Sequence, residues 1–292
     1  MTDLHAAPQR SGFRYLERLR VRWVEVDMQH IVFNGHYLMY FDTAVAGWWR
    51  AMALPYEPTM HDLGGDFFVR KSTLEFEGSA RYDDQLEVGM RCERIGNSSM
   101  LLQGAVFRSG QRLVTGELVY VYADSKTQRP LPVPQPLRDL FLGFEAGQPV
   151  LDVQVGTWDQ LGRQAQAIRT AVFVEEQKIP AELEWDAADA SAVHALAVNR
   201  LGRAVATGRL LEHEPSVSKI GRMAVHASLR GSGAGAAVLK ALVAAARDRG
   251  DLQVLLHAQE SAVGFYLRMG FQAVGPVFEE AGIAHQAMAL DL

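Results

Sequence analysis

Three glycines within seven residues, Leu229-Arg230-Gly231-Ser232-Gly233-Ala234-Gly235, constrain this chain more than any other stretch. The run before them, Ser218 to Val225, reads as a strand, and the run after them, Ala234 to Arg249, reads as a helix. Glycines at a strand-to-helix turn let backbone N–H groups converge on one point with no Cβ in the way. The helix N-terminus adds its partial positive charge to the same point. Such a turn is an anion cradle suited to a phosphate or pyrophosphate, and Arg230 at its entrance can add a guanidinium contact.

Two motifs compete for the loop. Gly231, Gly233 and Ala236 fit the dinucleotide pattern G-x-G-x-x-A. Its context is poor, because the next strand, Leu252 to Leu256, ends at His257 where a ribose-binding acid is expected. Arg230, Gly233 and Gly235 fill the other pattern, Arg-x-x-Gly-x-Gly, which resembles the acyl-CoA loop of the GNAT acetyltransferases. Ser261-Ala262-Val263-Gly264-Phe265-Tyr266-Leu267-Arg268-Met269-Gly270-Phe271 is similar to a second signature of that family, a short helix carrying Phe-Tyr and ending at Gly-Phe. Arg169-Thr170-Ala171-Val172-Phe173-Val174-Glu175-Glu176-Gln177 and Gly282-Ile283-Ala284-His285 are similar to its ElaA-like branch.

The resemblance implies a mixed α/β GNAT domain that moves an acetyl group from acetyl-CoA to an amine. It implies that the Ser218 strand splays from the Leu252 strand, so that the backbone of Met223, Ala224 and Val225 pairs with the pantetheine arm and polarises the acetyl carbonyl. Gly231, Ser232, Gly233, Ala234 and Gly235 would then hold the pyrophosphate. Tyr266 would protonate the leaving thiolate as general acid. Aromatic placement alone serves a core tyrosine equally well. The base is left open: Glu175 and Glu176 are candidates by position, and both suit solvated charges at a helix end.

At 292 residues the chain has the length of two domains. Apolar residues at 48% and charged residues at 22% are ordinary for a globular protein. A net charge of −5, biased in neither half, argues against nucleic acid or an anionic membrane as partner. Cys92 is the single cysteine, so no intrachain disulfide can form, which fits a reducing compartment. The polar start and the lack of an apolar run of about 18 residues point to the cytoplasm.

Residues 1 to 12 read as loose. Phe13 to Val26 reads as a strand, with Leu19, Val21 and Trp23 on one face. Leu38, Phe41, Val45, Trp48 and Met52 form one stripe of a long helix that Pro55 ends. Strands follow at Phe67 to Phe76, Gln85 to Ile95, Ser99 to Phe107 and Leu113 to Ala123, the last three joined by hairpin turns. One helix with an antiparallel meander makes a small α+β domain. Pro130, Pro132, Pro134 and Pro136 hold an extended segment, Leu137 to Phe144 reads as a closing helix, and Gly143 to Pro149 is the boundary. The expected domains are residues 1–146 and 147–292. The second opens with a strand at Leu151 to Val155 and a helix capped by Thr157, with Leu161, Ala165, Ile168 and Val172 inward. A hairpin, Val193 to Asn199 with Ala204 to Leu211, follows. From Ser218 on, strands and helices alternate toward a last strand at Ala284 to Leu290, which argues for a mixed sheet with parallel neighbours.

Asp27 precedes the long helix. By position alone it suits a helix N-cap. Glu25-Val26-Asp27, then Ile31-Val32-Phe33 and Tyr37, resemble the signature of the 4-hydroxybenzoyl-CoA thioesterase family, the YbgC-like and FadM-like hotdog enzymes. Phe67 to Phe76 and Arg81 to Leu86 resemble its later strands. The resemblance, over about residues 14 to 142, implies an N-terminal hotdog fold, Asp27 as the catalytic carboxylate, backbone N–H groups between His30 and Gly35 as the oxyanion site, and a homodimer or homotetramer that completes the site. His30 stands where many relatives have Gly, and Asn34-Gly35-His36 where many have a His-Ala-Asn-like run. His30 and His36 are six apart, without a His-x-x-x-His or Cys pair, and read as a surface or hydrogen-bonded pair, so no metal is expected.

Together these features point to a bifunctional acyl-CoA enzyme that hydrolyses an acyl-CoA thioester and acetylates an unidentified amine, with acetyl-CoA or CoA bound as co-substrate. A module that binds CoA or acyl-CoA and signals without turnover is the alternative.

Overall fold

The computed structural model describes residues 8–280 and 282–292. The chain forms two compact units, residues 1–150 and 151–292. The expected loose start falls mostly outside the described residues; of its described part, Arg10–Gly12 makes a single 3-10 turn.

The first unit is a five-stranded antiparallel sheet in the order β1-β3-β4-β5-β2, from β1 (Tyr15–Arg20), β2 (Asp66–Phe76), β3 (Gln85–Ile95), β4 (Ser99–Arg108) and β5 (Gln111–Ala123). Helix α1 (Asn34–Ala51) lies against it. The seat is made by two glycines that face each other across the β4–β5 ladder, Gly104 and Gly116. A Cβ on either would meet the Phe41 ring, at 2.5 and 2.7 Å, so only glycine lets the helix come this close. Phe41, Val45, Trp48 and Met52 are buried as their spacing predicts. Leu38 is not: it is 39% exposed, because Tyr37 and Tyr40 turn inward at that end of the helix.

Two further corrections concern local boundaries. The first strand stops at Arg20, and the chain turns through Trp23–Glu25, which leaves Trp23 70% exposed beside the Tyr82 ring. Pro55 does not end α1, which stops at Ala51; it caps α2 (Tyr56–Leu63), a helix too short for its periodicity to stand out. Helix α3 (Gln135–Glu145) brings Phe141 within 5.3 Å (ring centroids) of both Trp48 and Trp49 and closes the core.

The second unit is a seven-stranded sheet in the order β11-β12-β10-β9-β8-β7-β6. Its strands are β6 (Leu151–Gly156), β7 (Val193–Asn199), β8 (Ala204–Glu214), β9 (Val217–Val225), β10 (Gln253–Gln259), β11 (Gln272–Glu280) and β12 (Ile283–Asp291). Among the described residues only β9 and β10 pair in parallel; the other ladders are antiparallel. Both faces are covered. On β7, Ala195 and Ala197 face the core under α6 (Ala234–Arg249), while Leu196 and Val198 face Leu161 and Ala165 of α4 (Trp158–Arg169). Thr157 caps α4, its N–H donating to Gln160 Oε1 at 3.0 Å. The α4 rod continues in wider π-type turns over Thr170–Glu176, with Val172 and Phe173 packed on Ala224. Short helices α5 (Ala181–Glu184) and α7 (Val263–Arg268) complete the unit.

β11 was not expected. Gly275 and Pro276 interrupt its sequence, yet the strand tolerates them because it lies at the sheet edge and bulges between Val274 and Val277.

Among the described residues, no helix is long and apolar enough to cross a membrane.

Candidate active sites

In the second unit, the β9–β10 ladder runs from Val217–Gln253 to Ile220–Leu256 and stops, although both strands continue. The cause lies on the other edge of β9. Its register against β8 slips between Arg209–Gly221 and Thr207–Ala224, and Arg222 takes a left-handed φ of 52° at the bulge. A bulge bends its strand and raises its twist, which carries β9 away from β10. Met223, Ala224 and Val225 therefore line a gap between two strands, with one backbone edge free of any ladder on the β10 side.

The glycine loop closes the end of that gap. Gly231 and Gly233 have φ of 83° and 94°, conformations that favour glycine. Among the described residues no acceptor stands on their N–H groups, and the first N–H groups of α6, at Ala234 and Gly235, have no intrahelical acceptor. Ser232 differs: its N–H turns back to the Leu229 carbonyl at 3.1 Å. The Arg230 guanidinium makes a two-pronged ion pair with Glu176, both contacts at 2.7 Å.

Tyr266 is 7% exposed, edge-on to Phe265 and Phe271. Its hydroxyl has no hydrogen-bond partner among the described residues, and the residue lines a cavity of about 650 Å³. Burial pushes its pKa up to about 12, so it carries its proton at neutral pH. The same cavity is lined by Lys219 and Arg222 of β9, His257 of β10, Glu280 of β11 and His285 of β12. His257 Nδ1 lies 2.9 Å from Glu280 Oε2 and 3.4 Å from Lys219 Nζ. Burial alone would raise Glu280; the bond from His257 and the charges of His257, His285 and Lys219 outweigh it and hold the carboxyl below its ordinary range. Glu175 and Glu176 border a different, smaller cavity of about 320 Å³ beside His226.

Beneath the large cavity, Arg169 is almost wholly buried. It donates to Glu184, to the Glu184 carbonyl at 2.8 Å and to Asp189 at 2.8 Å, and lies over the Trp158 and Trp185 rings. Arg209 joins Asp189 to Asp186, and Arg222 reaches Asp186 at 3.1 Å. This network ties the Arg169 segment to the bulged strand. Arg169 stood in a recognisable sequence pattern, but its partners arrive from Glu184, Asp186 and Asp189, outside that pattern.

In the first unit, Asp27 does not cap α1, whose N-cap position is Phe33. The chain before the helix folds back, with Val26 bridged to Val32 and Asp27 N–H donating to the Ile31 carbonyl at 2.9 Å. Within this loop the Asp27 carboxylate accepts the Gln29 N–H at 2.8 Å, and His30 takes φ of 60°, a value glycine adopts more readily. Glu25 is buried and anchors the loop. It accepts the Arg22 N–H at 2.7 Å and the Tyr40 hydroxyl at 2.8 Å. Burial alone would raise its pKa; these bonds and the Arg22 guanidinium outweigh it and hold Glu25 low. Tyr37 is buried, its hydroxyl accepting the Ala80 N–H at 2.9 Å. Around Asp27 four apolar side chains, Trp23, Val24, Met28 (97% exposed) and Phe33, face outward among the exposed polar residues Arg22, Gln29, His30 and Asn34.

His30 and His36 do not share a bond; His36 Nδ1 contacts Met39 Sδ at 3.2 Å. Among the described residues no three His, Cys, Asp or Glu side chains cluster as metal ligands.

Residues 160–292 match the Acetyltransferase (GNAT) domain family. The same half is 36% identical over 125 residues to an uncharacterized N-acetyltransferase, YjcF, of Bacillus subtilis, covering 42% of this chain and 88% of that protein. The chain belongs to the GNAT acetyltransferase family. Its first half carries a hotdog domain of the Thioesterase superfamily, which matches residues 29–115. A putative N-acetyltransferase from Lactobacillus plantarum superposes on the GNAT half with a TM-score of 0.47 and 27% identity, over 49% of this chain and 99% of that one. A 1,4-dihydroxy-2-naphthoyl-CoA thioesterase from Synechocystis superposes with a TM-score of 0.41 and 16% identity, over 44% of this chain and 95% of that one.

Proposed function

We propose that this protein is a bifunctional acyl-CoA enzyme, with acetyl transfer to an amine in the GNAT half and thioester hydrolysis in the hotdog half. The observation that carries the transfer reading is the gap between β9 and β10, with a glycine loop at one end and Tyr266 lining the cavity beside it. A CoA thioester laid in the gap pairs its pantetheine amides with the free edge of Met223, Ala224 and Val225. Its pyrophosphate meets the N–H groups of Gly231, Gly233, Ala234 and Gly235. Arg230 joins it by exchanging the Glu176 carboxylate for phosphate, an exchange between two charge-assisted bonds. Tyr266 gives its proton to the departing sulfur.

In the hotdog half, the Asp27 carboxylate attacks the thioester carbonyl or activates a water, and N–H groups at the start of α1 take the oxyanion. The Gln29 N–H holds the carboxylate's orientation. The exposed Trp23, Val24, Met28 and Phe33 beside Asp27 support a homodimer through this half, with the second copy walling the acyl site.

The test is thiol release from a panel of acyl-CoA thioesters, with and without primary amines. Asp27→Asn is expected to slow hydrolysis by about 10²-fold or more and to leave transfer intact, and Tyr266→Phe to do the reverse. Saturable CoA binding with neither activity would identify a binding module instead.

A further inference from the structure

We propose that His257, oriented by Glu280, is the base that takes the acceptor's proton during acetyl transfer; this rests on the transfer reading above. Four observations support it. Val254, Leu256 and Ala258 of β10 are buried in the core under α6, so His257 projects from the opposite face, toward the cavity. It is also the first residue of β10 beyond the point where the β9–β10 ladder ends, at the fork where the gap opens.

Third, the shorter of its two contacts favours one tautomer. Glu280 Oε2 lies 2.9 Å from Nδ1, closer than the Lys219 ammonium at 3.4 Å, which favours a proton on Nδ1 and the lone pair on Nε2. This is the disposition a base needs: a carboxylate behind one ring nitrogen and a free acceptor in front. Lys219 Nζ, 3.4 Å from Nδ1, faces the same pair from β9, and His285 faces Glu280 from β12.

Fourth, the other carboxylates are committed or elsewhere. Glu176 is paired with Arg230, and Glu175 borders the smaller cavity away from Tyr266. Glu184 and Asp186 line the large cavity but are held by Arg169, Arg209 and Arg222. His285 points its Nδ1 at the Ile283 carbonyl, 2.8 Å away, so a backbone oxygen and not a carboxylate holds that nitrogen.

The chemistry balances. The acceptor arrives as an ammonium and gives one proton to His257 Nε2, and Glu280 stabilises the resulting imidazolium. The freed lone pair attacks the acetyl carbonyl carbon; the C–N bond forms and the C–S bond breaks. The thiolate takes the Tyr266 proton, and the proton still on the new amide nitrogen returns to the phenolate. His257 releases its proton to water. One ammonium and one thioester have become an amide, a thiol and a proton.

The experiment uses the full-length protein, acetyl-CoA and a panel of alkylamines, amino acids, amino sugars and polyamines, with N-acetylated product read by mass spectrometry. For the best amine, His257→Gln is expected to lower kcat/KM by about 10²-fold or more. It should also leave calorimetric acetyl-CoA affinity within a few-fold, so that the loss falls on kcat, and added free imidazole should restore part of the rate. Glu280→Gln should lower kcat several-fold with KM for acetyl-CoA unchanged. Wild-type rate in His257→Gln would overturn the base assignment while leaving acetyl transfer standing. Loss of affinity together with rate would make His257 a packing residue and overturn it as well. If the wild-type protein acetylates no amine in the panel above the enzyme-free blank, the transfer reading fails and the base assignment fails with it.

Discussion

Substitution at Gly233 separates the shape of the phosphate cradle from its charge. Gly233 sits at φ 94° directly ahead of α6, and a Cβ built there meets nothing within 4 Å. Gly233→Ala therefore brings backbone strain without a clash, about 1–2 kcal/mol. At roughly 2–4 °C per kcal/mol for a unit of this size, the GNAT half should melt several degrees lower. Gly233→Asp brings similar strain and adds a carboxylate at the mouth of the cradle. Two charges about 6 Å apart in an effective dielectric of about 40 repel by about 1.4 kcal/mol. A pyrophosphate presents roughly two charges, so the loss is about 3 kcal/mol, or about 10²-fold in affinity. Calorimetric titration of CoA and a thermal melt on each variant make the test. Melting points should be alike and affinities should diverge, with alanine close to wild type and aspartate far weaker. Gly235→Ala is the control: its φ is ordinary and its Cβ would come 3.1 Å from Val225 Cγ2, a contact relieved by a small side-chain shift. Undiminished affinity in Gly233→Asp would locate the phosphate elsewhere. Equal losses in the alanine and aspartate variants would refute the charge argument.

Three further outcomes are expected. Light scattering should give about twice the 32.3 kDa chain mass, and Val24→Asp should shift it toward monomer; a monomer at all concentrations would refute pairing through the Asp27 face. Arg169→Met should destabilise the GNAT half by about 3–5 kcal/mol in urea unfolding, because it strips the buried Glu184 and Asp189 of their cation; an unchanged midpoint would show the network to be dispensable. Glu25 is a carboxyl held low in the folded state, so its contribution is fully present above the ordinary Glu value of 4.5 and is lost as pH falls through its depressed value. Glu25→Gln should therefore flatten the acid limb of the hotdog half's stability curve, read by far-UV circular dichroism; an unaltered acid limb would refute this.

The two domains were legible in the amino-acid order because their signals are local. A 3-4-3-4 apolar spacing makes the α1 stripe within one helix, and the turn residues Gly96-Asn97 and Ser109-Gly110 bound β3, β4 and β5 without reference to any partner. The glycine loop is legible for the same reason: φ above zero at Gly231 and Gly233 is a demand placed on single residues. Asp27 and Tyr266 were singled out as candidates through short continuous patterns.

What stayed hidden depends on pairing between distant segments. The candidate base site draws Lys219, His257, Glu280 and His285 from four strands, and only the sheet order β11-β12-β10-β9 places them together. His257 was visible merely as a residue out of place for a dinucleotide site, and His285 as part of a motif with no assigned task. Arg230 was legible as a phosphate ligand, yet its pairing with Glu176 spans 54 positions and follows from the packing of the α4 rod on β9. Burial was likewise read from spacing and then altered by packing: Leu38 and Trp23 fit the apolar pattern, and both stand exposed. Backbone preference and side-chain period act over a few residues, so the chain's elements and its loop follow from its order. Which side chains meet across a cavity is set by strand register and by one bulge at Arg222, and those exist only once the sheet has closed.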